Sequence, residues 1–167
     1  MNNGNKSEIL VCSFTGHRKI EPHHEGKIDT LVMRAIEYAY GRGCRAFYTG
    51  GAVGFDTVAA KQVILFRMSH PDVRLTVLVP CREQSERWSD RQKQMYDYCL
   101  SSADFVEYVS EAYTDDCMKK RNQRLVDAAD TVIAYASHSR SGAGQTVRMA
   151  QRAGKTVYNL YPTLEKS

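Results

Sequence analysis

The chain has no apolar run near the roughly 18 residues that a membrane-spanning helix needs, so no membrane role is expected. It has no dense basic tract, and its net charge of +4 is modest. Long-range capture of nucleic acid is not indicated, and nucleic acid is not an expected partner. The five cysteines (Cys12, Cys44, Cys81, Cys99 and Cys117) are odd in number and contain no C-x-x-C pair. That pattern argues against a disulfide framework and a zinc site. The histidines are scattered with no i, i+4 pair, so no metal is expected. There is no G-x-x-x-x-G-K-[ST], which disfavours a P-loop ATPase. There is no G-x-G-x-x-G after the first apolar run either, which disfavours an ordinary NAD dehydrogenase. The polar start, Met1 to Glu8, lacks the apolar segment of a secretory signal. It is expected to be a flexible tail, with a cytoplasmic location as the default.

What is present is enough for one domain with its own core: 167 residues, 43% hydrophobic and 25% charged. Ile9–Phe14 reads as a buried strand. Ile28, Leu31, Val32, Ala35, Ile36 and Ala39 then recur at helical spacing. Ala46–Tyr48 is a second strand, followed by a helix carrying Phe55, Val58, Ala59, Val63 and Phe66. Arg74–Val79 is a third strand, followed by a helix with Trp88, Met95, Tyr96, Cys99 and Leu100 on one side. Phe105–Val109, a helix over Met118–Ala129, Thr131–Tyr135, a last helix to about Gly154 and Thr156–Leu160 complete the series. Apolar strands alternating with helices predict an α/β fold: a single Rossmann-like, three-layer domain with a mostly parallel sheet of about six strands.

Two glycine-bearing turns lead from strand to helix. One is Thr49-Gly50-Gly51-Ala52-Val53-Gly54-Phe55-Asp56 and the other Ser141-Gly142-Ala143-Gly144-Gln145-Thr146. Such turns set backbone N–H groups at the positive end of a helix dipole, which suits phosphate. Ligands of open parallel sheets bind beyond the carboxyl ends of the strands. That edge also collects Thr15-Gly16-His17-Arg18 after the first strand, and Pro80-Cys81-Arg82-Glu83 after the third. Arg121 and Asn122 precede Leu125 and Val126 by four residues on the same helix faces and should point there too. Trp88 and Arg91 hold comparable positions on the preceding helix.

Arg18 has the planar fork to clamp a phosphate. Asp56 reads either as a helix cap or as an acid near sugar hydroxyls. His17 reads either as an acid–base group or as a hydrogen-bonded turn residue. Trp88 is either a base-stacking surface or part of the core. The second loop contains no acid and is flanked by Arg140 and Arg148, so phosphate is expected there.

Taken together, the motifs resemble the SLOG superfamily. Thr49 to Asp56 followed by Ala59-Ala60 is similar to its G-G-A-x-G-x-D-x-x-A signature. Lys120-Arg121-Asn122, Asp130–Tyr135, Ser141–Thr146 and Gly154-Lys155 follow in the same order, so the resemblance spans about residues 9 to 161. That superfamily groups the fold of DNA-processing protein A (Smf) with the Lonely Guy (LOG) family. The subgroup most resembled is the small, stand-alone YpsA-like proteins of bacteria and their phages. The resemblance implies a pocket for a nucleotide or an ADP-ribose-like derivative, sensed or processed. Gly50, Gly51, Gly54 and Asp56 would form one wall, and Ser141, Gly142, Gly144 and Thr146 the phosphate-facing wall. LOG phosphoribohydrolases carry P-G-G-x-G-T-x-x-E, and the glutamate position here is Met149. Methionine transfers no proton, so hydrolysis of that type is disfavoured.

The leading expectation is a cytosolic sensor or regulator that binds a phosphorylated nucleotide derivative and requires no cofactor. Its ligand-binding residues are Thr15, Gly16, His17, Arg18, Gly50, Gly51, Gly54, Asp56, Arg121, Asn122, Ser141, Gly142, Gly144, Gln145 and Thr146. The alternative is a hydrolase of N-glycosidic or phosphate bonds, with His17, Asp56 and Arg121 as catalytic candidates. Below both stands single-stranded DNA binding, favoured only by the late basic residues Arg140, Arg148, Arg152 and Lys155. A homo-oligomer is compatible with the fold.

Overall fold

The computed structural model describes residues 9–138 and 140–167; the tail expected over residues 1–8 lies outside them. Strands and helices alternate from end to end. They are β1 (Leu10–Gly16), α1 (Ile28–Gly41), β2 (Cys44–Thr49), α2 (Phe55–Ser69), β3 (Arg74–Val79) and α3 (Asp90–Ser102). There follow β4 (Phe105–Tyr108), α4 (Cys117–Ala128), β5 (Thr131–Tyr135), α5 (Gly142–Arg152), β6 (Thr156–Asn159) and α6 (Tyr161–Glu165). Short 3₁₀ turns occupy Pro22–His24 and Arg82–Ser85. No described helix is long and apolar enough to cross a membrane.

The six strands form one sheet in the order β4-β3-β2-β1-β5-β6, and every neighbouring pair is parallel. The central strands are apolar on both faces because both faces are covered: Leu75 to Val79 of β3 and Val132 to Tyr135 of β5 are all buried. Right-handed crossovers put α1, α2 and α3 on one face, where α2 touches both its neighbours, and α4 against α5 on the other. The two faces pack differently. Under α1 and α2 lie the large side chains Phe14, Phe47, Phe55, Val63 and Leu75. Under α4 and α5 lie Val126, Ala129, Val132, Ala134, Ala143 and Ala150, whose small size lets those helices sit close to the sheet.

Two elements depart from the sequence expectation. Trp88 is not on a helix: α3 starts after Ser89, whose hydroxyl accepts Gln92 N–H while the Gln92 side chain accepts Ser89 N–H (3.2 and 3.0 Å). That reciprocal cap fixes the helix start beyond Trp88, which instead packs edge-on to Tyr96 with ring centroids 5.1 Å apart. The short α6 was not foreseen; Leu164, 3% exposed, anchors it to the core.

The chain order runs outward from β1 to β4 on one side and resumes with β5 on the other. Strand order therefore reverses between β1 and β5, and the loops beyond their carboxyl ends diverge and open a crevice there.

Candidate functional site

The floor of the crevice is made where the loops after β1 and β5 are tied together. His17 N–H donates to Tyr135 O at 3.1 Å, and the His17 ring Nε2 accepts Ser137 N–H at 2.7 Å. Burial, then the neighbouring His138, holds the His17 imidazole below its usual pKa, so it stands neutral as an acceptor. Its Nε2 is thus engaged within the loop by Ser137 N–H, and lies 3.0 Å from Ser137 Oγ. Gly16 is dictated by space, because a side chain there would run into the Phe55 ring.

The first glycine loop is closed upon itself. Gly54 has φ 80° and precedes α2, and a Cβ there would collide with the Arg18 carbonyl. The next amide, Phe55 N–H, donates to His17 O at 3.1 Å. Asp56 Oδ2 accepts Ala52 N–H at 3.2 Å, so the carboxylate braces the loop itself; it makes no cap hydrogen bond to α2. From α4, Arg121 Nη1 donates to Gly50 O at 2.6 Å, while its Nε donates to Asn122 Oδ1 at 2.8 Å. A Cβ on Gly50 would come within 2.5 Å of Arg121 Nη1 and 2.9 Å of Asp56 Oδ2, so these two charged groups meet over that glycine. Burial lifts the Asp56 carboxyl to about 6, against the pull of Arg121, the Ala52 amide and Arg18. Arg121 is only 6% exposed, and burial pulls its pKa down while Asp56 opposes that shift.

The second glycine loop is built otherwise. Ser141 Oγ accepts Gly144 N–H at 2.9 Å and so caps α5. Thr146 is buried, with its hydroxyl donating to Gly142 O at 2.8 Å. Around Gly142 itself, an added Cβ would meet nothing within 4 Å among the described residues.

Between these walls lies a cavity of about 290 Å³. Thr15 to Arg18 line it from β1, Ala52 and Asp56 from the first loop, Met118, Arg121 and Asn122 from α4, and Gly142 and Ala143 from the start of α5. Arg18 is exposed, and its guanidinium reaches only Met118 Sδ, at 3.2 Å. Among the described residues it has no carboxylate partner. An adjoining cavity of about 520 Å³ shares Met118, Asn122 and Gly142 and adds Gln145, Thr146, Met149, the acid Asp115 and the basic residues Lys119, Arg148 and Arg152.

Of the expected binding residues, Thr15, Gly16, His17, Arg18, Asp56, Arg121, Asn122 and Gly142 thus surround one space. Gln145 and Thr146 line its neighbour. Gly50, Gly51, Gly54, Ser141 and Gly144 stand behind the walls and shape them. Met118 and Lys119 were not foreseen, although Met118 lies three and four residues before Arg121 and Asn122, and shared helix faces give that signal. Arg82 and Glu83 turn away: Arg82 pairs with Glu111 at 2.6 Å, and Glu83 accepts Tyr113 N–H at 3.1 Å. Arg91 lines a separate cavity on the far side of Arg18.

Comparison with known proteins adds family and fold. The family model described as the YspA SLOG family matches residues 13–162. The SPbeta prophage-derived protein YoqJ of Bacillus subtilis (strain 168) is 28% identical over 149 residues, covering 81% of this chain and 83% of that protein. A UPF0398 protein of Bacillus thuringiensis (strain Al Hakam) is 27% identical over 162 residues, covering 92% and 88%. Among solved structures, DNA processing protein A from Streptococcus pneumoniae superposes with a TM-score of 0.65 at 16% identity, over 90% of this chain and 50% of that one. The same protein from Helicobacter pylori, described for its single-stranded DNA binding mode, gives 0.61 at 21% identity, over 89% and 63%. This chain therefore spans half to under two thirds of those longer proteins, and the likeness to them is one of fold.

Proposed function

This chain belongs to the YspA SLOG family, and from that premise we propose that its crevice binds a phosphorylated nucleotide or nucleotide derivative of ADP-ribose type, as a sensor or regulator. One observation carries the reading. Arg18, a cation with no carboxylate partner among the described residues, and the N-terminus of α5 at Gly142-Ala143 line the same cavity, where strand order reverses. A guanidinium fork and a helix N-terminus are both phosphate-binding devices. Asp56 is the only acid lining that cavity among the described residues, and an ionised carboxylate there can accept sugar hydroxyls. Arg121, held by Gly50 and Asn122, stands against Asp56 in the same wall and offsets its charge beneath the ligand. The two adjoining cavities together fall in the range of roughly 300–1,000 Å³ common for small-molecule sites.

The test is native mass spectrometry of the purified chain, to identify any co-purified molecule, followed by calorimetry with AMP, ADP, ADP-ribose and NAD. Binding by wild type that is lost in Gly142→Val and weakened in Arg18→Ala supports the reading. No released molecule and no heat with any of the four would overturn it. The same assay addresses hydrolysis: release of free base or phosphate, abolished in Asp56→Asn, would make the protein an enzyme.

A second reading, single-stranded DNA binding, is favoured by the binding mode described for the Helicobacter pylori neighbour and by Lys119, Arg148 and Arg152 around the adjoining cavity. Its signature is oligonucleotide affinity that falls steeply and log-linearly with salt. Salt-insensitive nucleotide binding without oligonucleotide affinity decides for the small ligand.

A further inference from the structure

The turn Pro22–His24 and the C-terminal helix α6 bring together three groups that the crevice does not use. Glu165 Oε1 lies 2.7 Å from His23 Nε2 and 2.7 Å from His24 Nε2. One donor atom from each residue falls within 4.8 Å of the others. The two histidines are not equivalent. The side chains of His23 and Glu165 are 61% and 45% exposed, whereas that of His24 is fully buried. His23 is aligned to hydrogen-bond the carboxylate; His24 is not, and its Nε2 is a buried polar atom without a hydrogen-bond partner.

The other nitrogen of His24 is fully accounted for. Nδ1 lies 2.6 Å from Tyr135 Oη, which also accepts Glu21 N–H at 3.1 Å. With the proton on Nδ1, donated to the tyrosine oxygen, Nε2 presents a bare lone pair to a carboxylate oxygen; with Tyr135 Oη donating to Nδ1 instead, the Nε2 N–H is out of line with that oxygen. In either tautomer a buried imidazole nitrogen is left poorly matched. A cation between Nε2 and the carboxylate removes that mismatch. It accepts the Nε2 lone pairs and the carboxylate together, and Tyr135 then plays the outer-shell role that fixes a metal-bound histidine's tautomer.

We propose that His23, His24 and Glu165 form a site for a divalent transition-metal ion of the zinc class, which pins α6 to the turn after β1. Two imidazoles and one carboxylate suit such an ion rather than magnesium or calcium, which prefer oxygen throughout. Ligands on a tetrahedral zinc at about 2.0–2.1 Å are about 3.3 Å apart, so each histidine–carboxylate pair opens by about half an ångström from its 2.7 Å, with all three donor atoms already within 4.8 Å of one another. An exposed glutamate on the last turn of a short helix can shift that far. The fourth position opens toward solvent on the His23 side and takes water. Sequence spacing gives no signal for this trio, because two donors are adjacent and the third comes from 142 residues away. The proposal is independent of what the crevice binds.

Cobalt(II) is the probe, added to the full chain after chelator treatment and dialysis. Wild type should develop the visible absorption of nitrogen and oxygen coordination at one equivalent, without a thiolate charge-transfer band. Zinc(II) should raise its melting temperature. His24 is wholly buried, so its removal would test packing as much as binding; the two exposed donors carry the test. His23→Ala and Glu165→Gln should each weaken cobalt binding at least about tenfold and abolish the zinc-induced rise in melting temperature. Tyr135→Phe should weaken binding while keeping the coordination spectrum. The proposal is overturned if wild type binds no cobalt, if both exposed-donor variants bind as wild type does, or if the spectrum shows thiolate ligation at the cysteines.

Discussion

The two glycine turns look alike in sequence and differ in construction. The first, before α2, is locked: its amides, carbonyls and carboxylate are spent on His17, Ala52 and Arg121, and side chains are excluded at Gly50 and Gly54. The second, before α5, is held by its own residues, through the Ser141 cap and the Thr146 hydroxyl on Gly142 O, and leaves Gly142 facing open space among the described residues. The first therefore serves as a rigid, charged wall and the second as the approach for an anion. A glycine pattern alone reports that backbone comes close to something; only the packing says whether that something is the protein or a ligand.

The largest contrast should come from one alanine placed in each turn. Gly54→Ala forces a positive φ on a Cβ and drives it into the Arg18 carbonyl, and should cost at least about 3 kcal/mol in chemical denaturation. Gly142→Ala should leave stability within about 1 kcal/mol or raise it, since alanine is the better helix former. Equal effects would erase the distinction between the turns.

Asp56→Asn probes the cost of the locked turn. The carboxyl titrates near 3.8 when unfolded and at about 6 when folded, so the native state holds the proton more tightly. That contribution is intact below about pH 4 and is lost as pH rises through about 6, amounting to about 2–3 kcal/mol by pH 7. Between pH 4 and 7 the stability of the variant should therefore rise relative to wild type by that amount. A flat difference would mean that Asp56 is not buried as described.

Arg18→Ala should lower affinity for a phosphorylated ligand by about 1.5–3 kcal/mol in calorimetry. Its melting temperature should barely change, because the side chain is exposed and, among the described residues, its guanidinium hydrogen-bonds only a thioether. Smallest of all, Ser141→Ala should cost about 0.5–2 kcal/mol of stability through the lost cap. A larger loss would show that the open turn also depends on local bracing.

Much of this was legible in advance because parallel strands buried on both faces write themselves as unbroken apolar runs, as in Val132 to Tyr135. The carboxyl-edge rule then gathered Arg18, Asp56, Arg121 and Gly142 without any knowledge of contacts. What stayed hidden depends on pairings between distant residues. Nothing near Asp56 announces that its charge will be countered by Arg121, 65 positions on, or that Gly50 must be bare because both meet above it. Trp88 was misplaced because apolar periodicity ran through a helix start that only the Ser89–Gln92 cap defines. Arg82 and Glu83 lie on the right edge of the sheet, but partners at Glu111 and Tyr113 turn them aside.

The strand order also has a kinetic consequence. From β1 to β4 each strand joins its neighbour in sequence, so that half of the sheet can assemble through short closures. The β1–β5 seam is different: Val11 N–H donates to Asp130 Oδ2, and Asp130 N–H to Val11 O, across 119 residues. Loop-closure entropy and contact order put such a seam late in folding. The crevice does not exist until it closes, so a ligand can reward only the finished chain. Hydrogen exchange should show its protection concentrated on β5 and the start of α5.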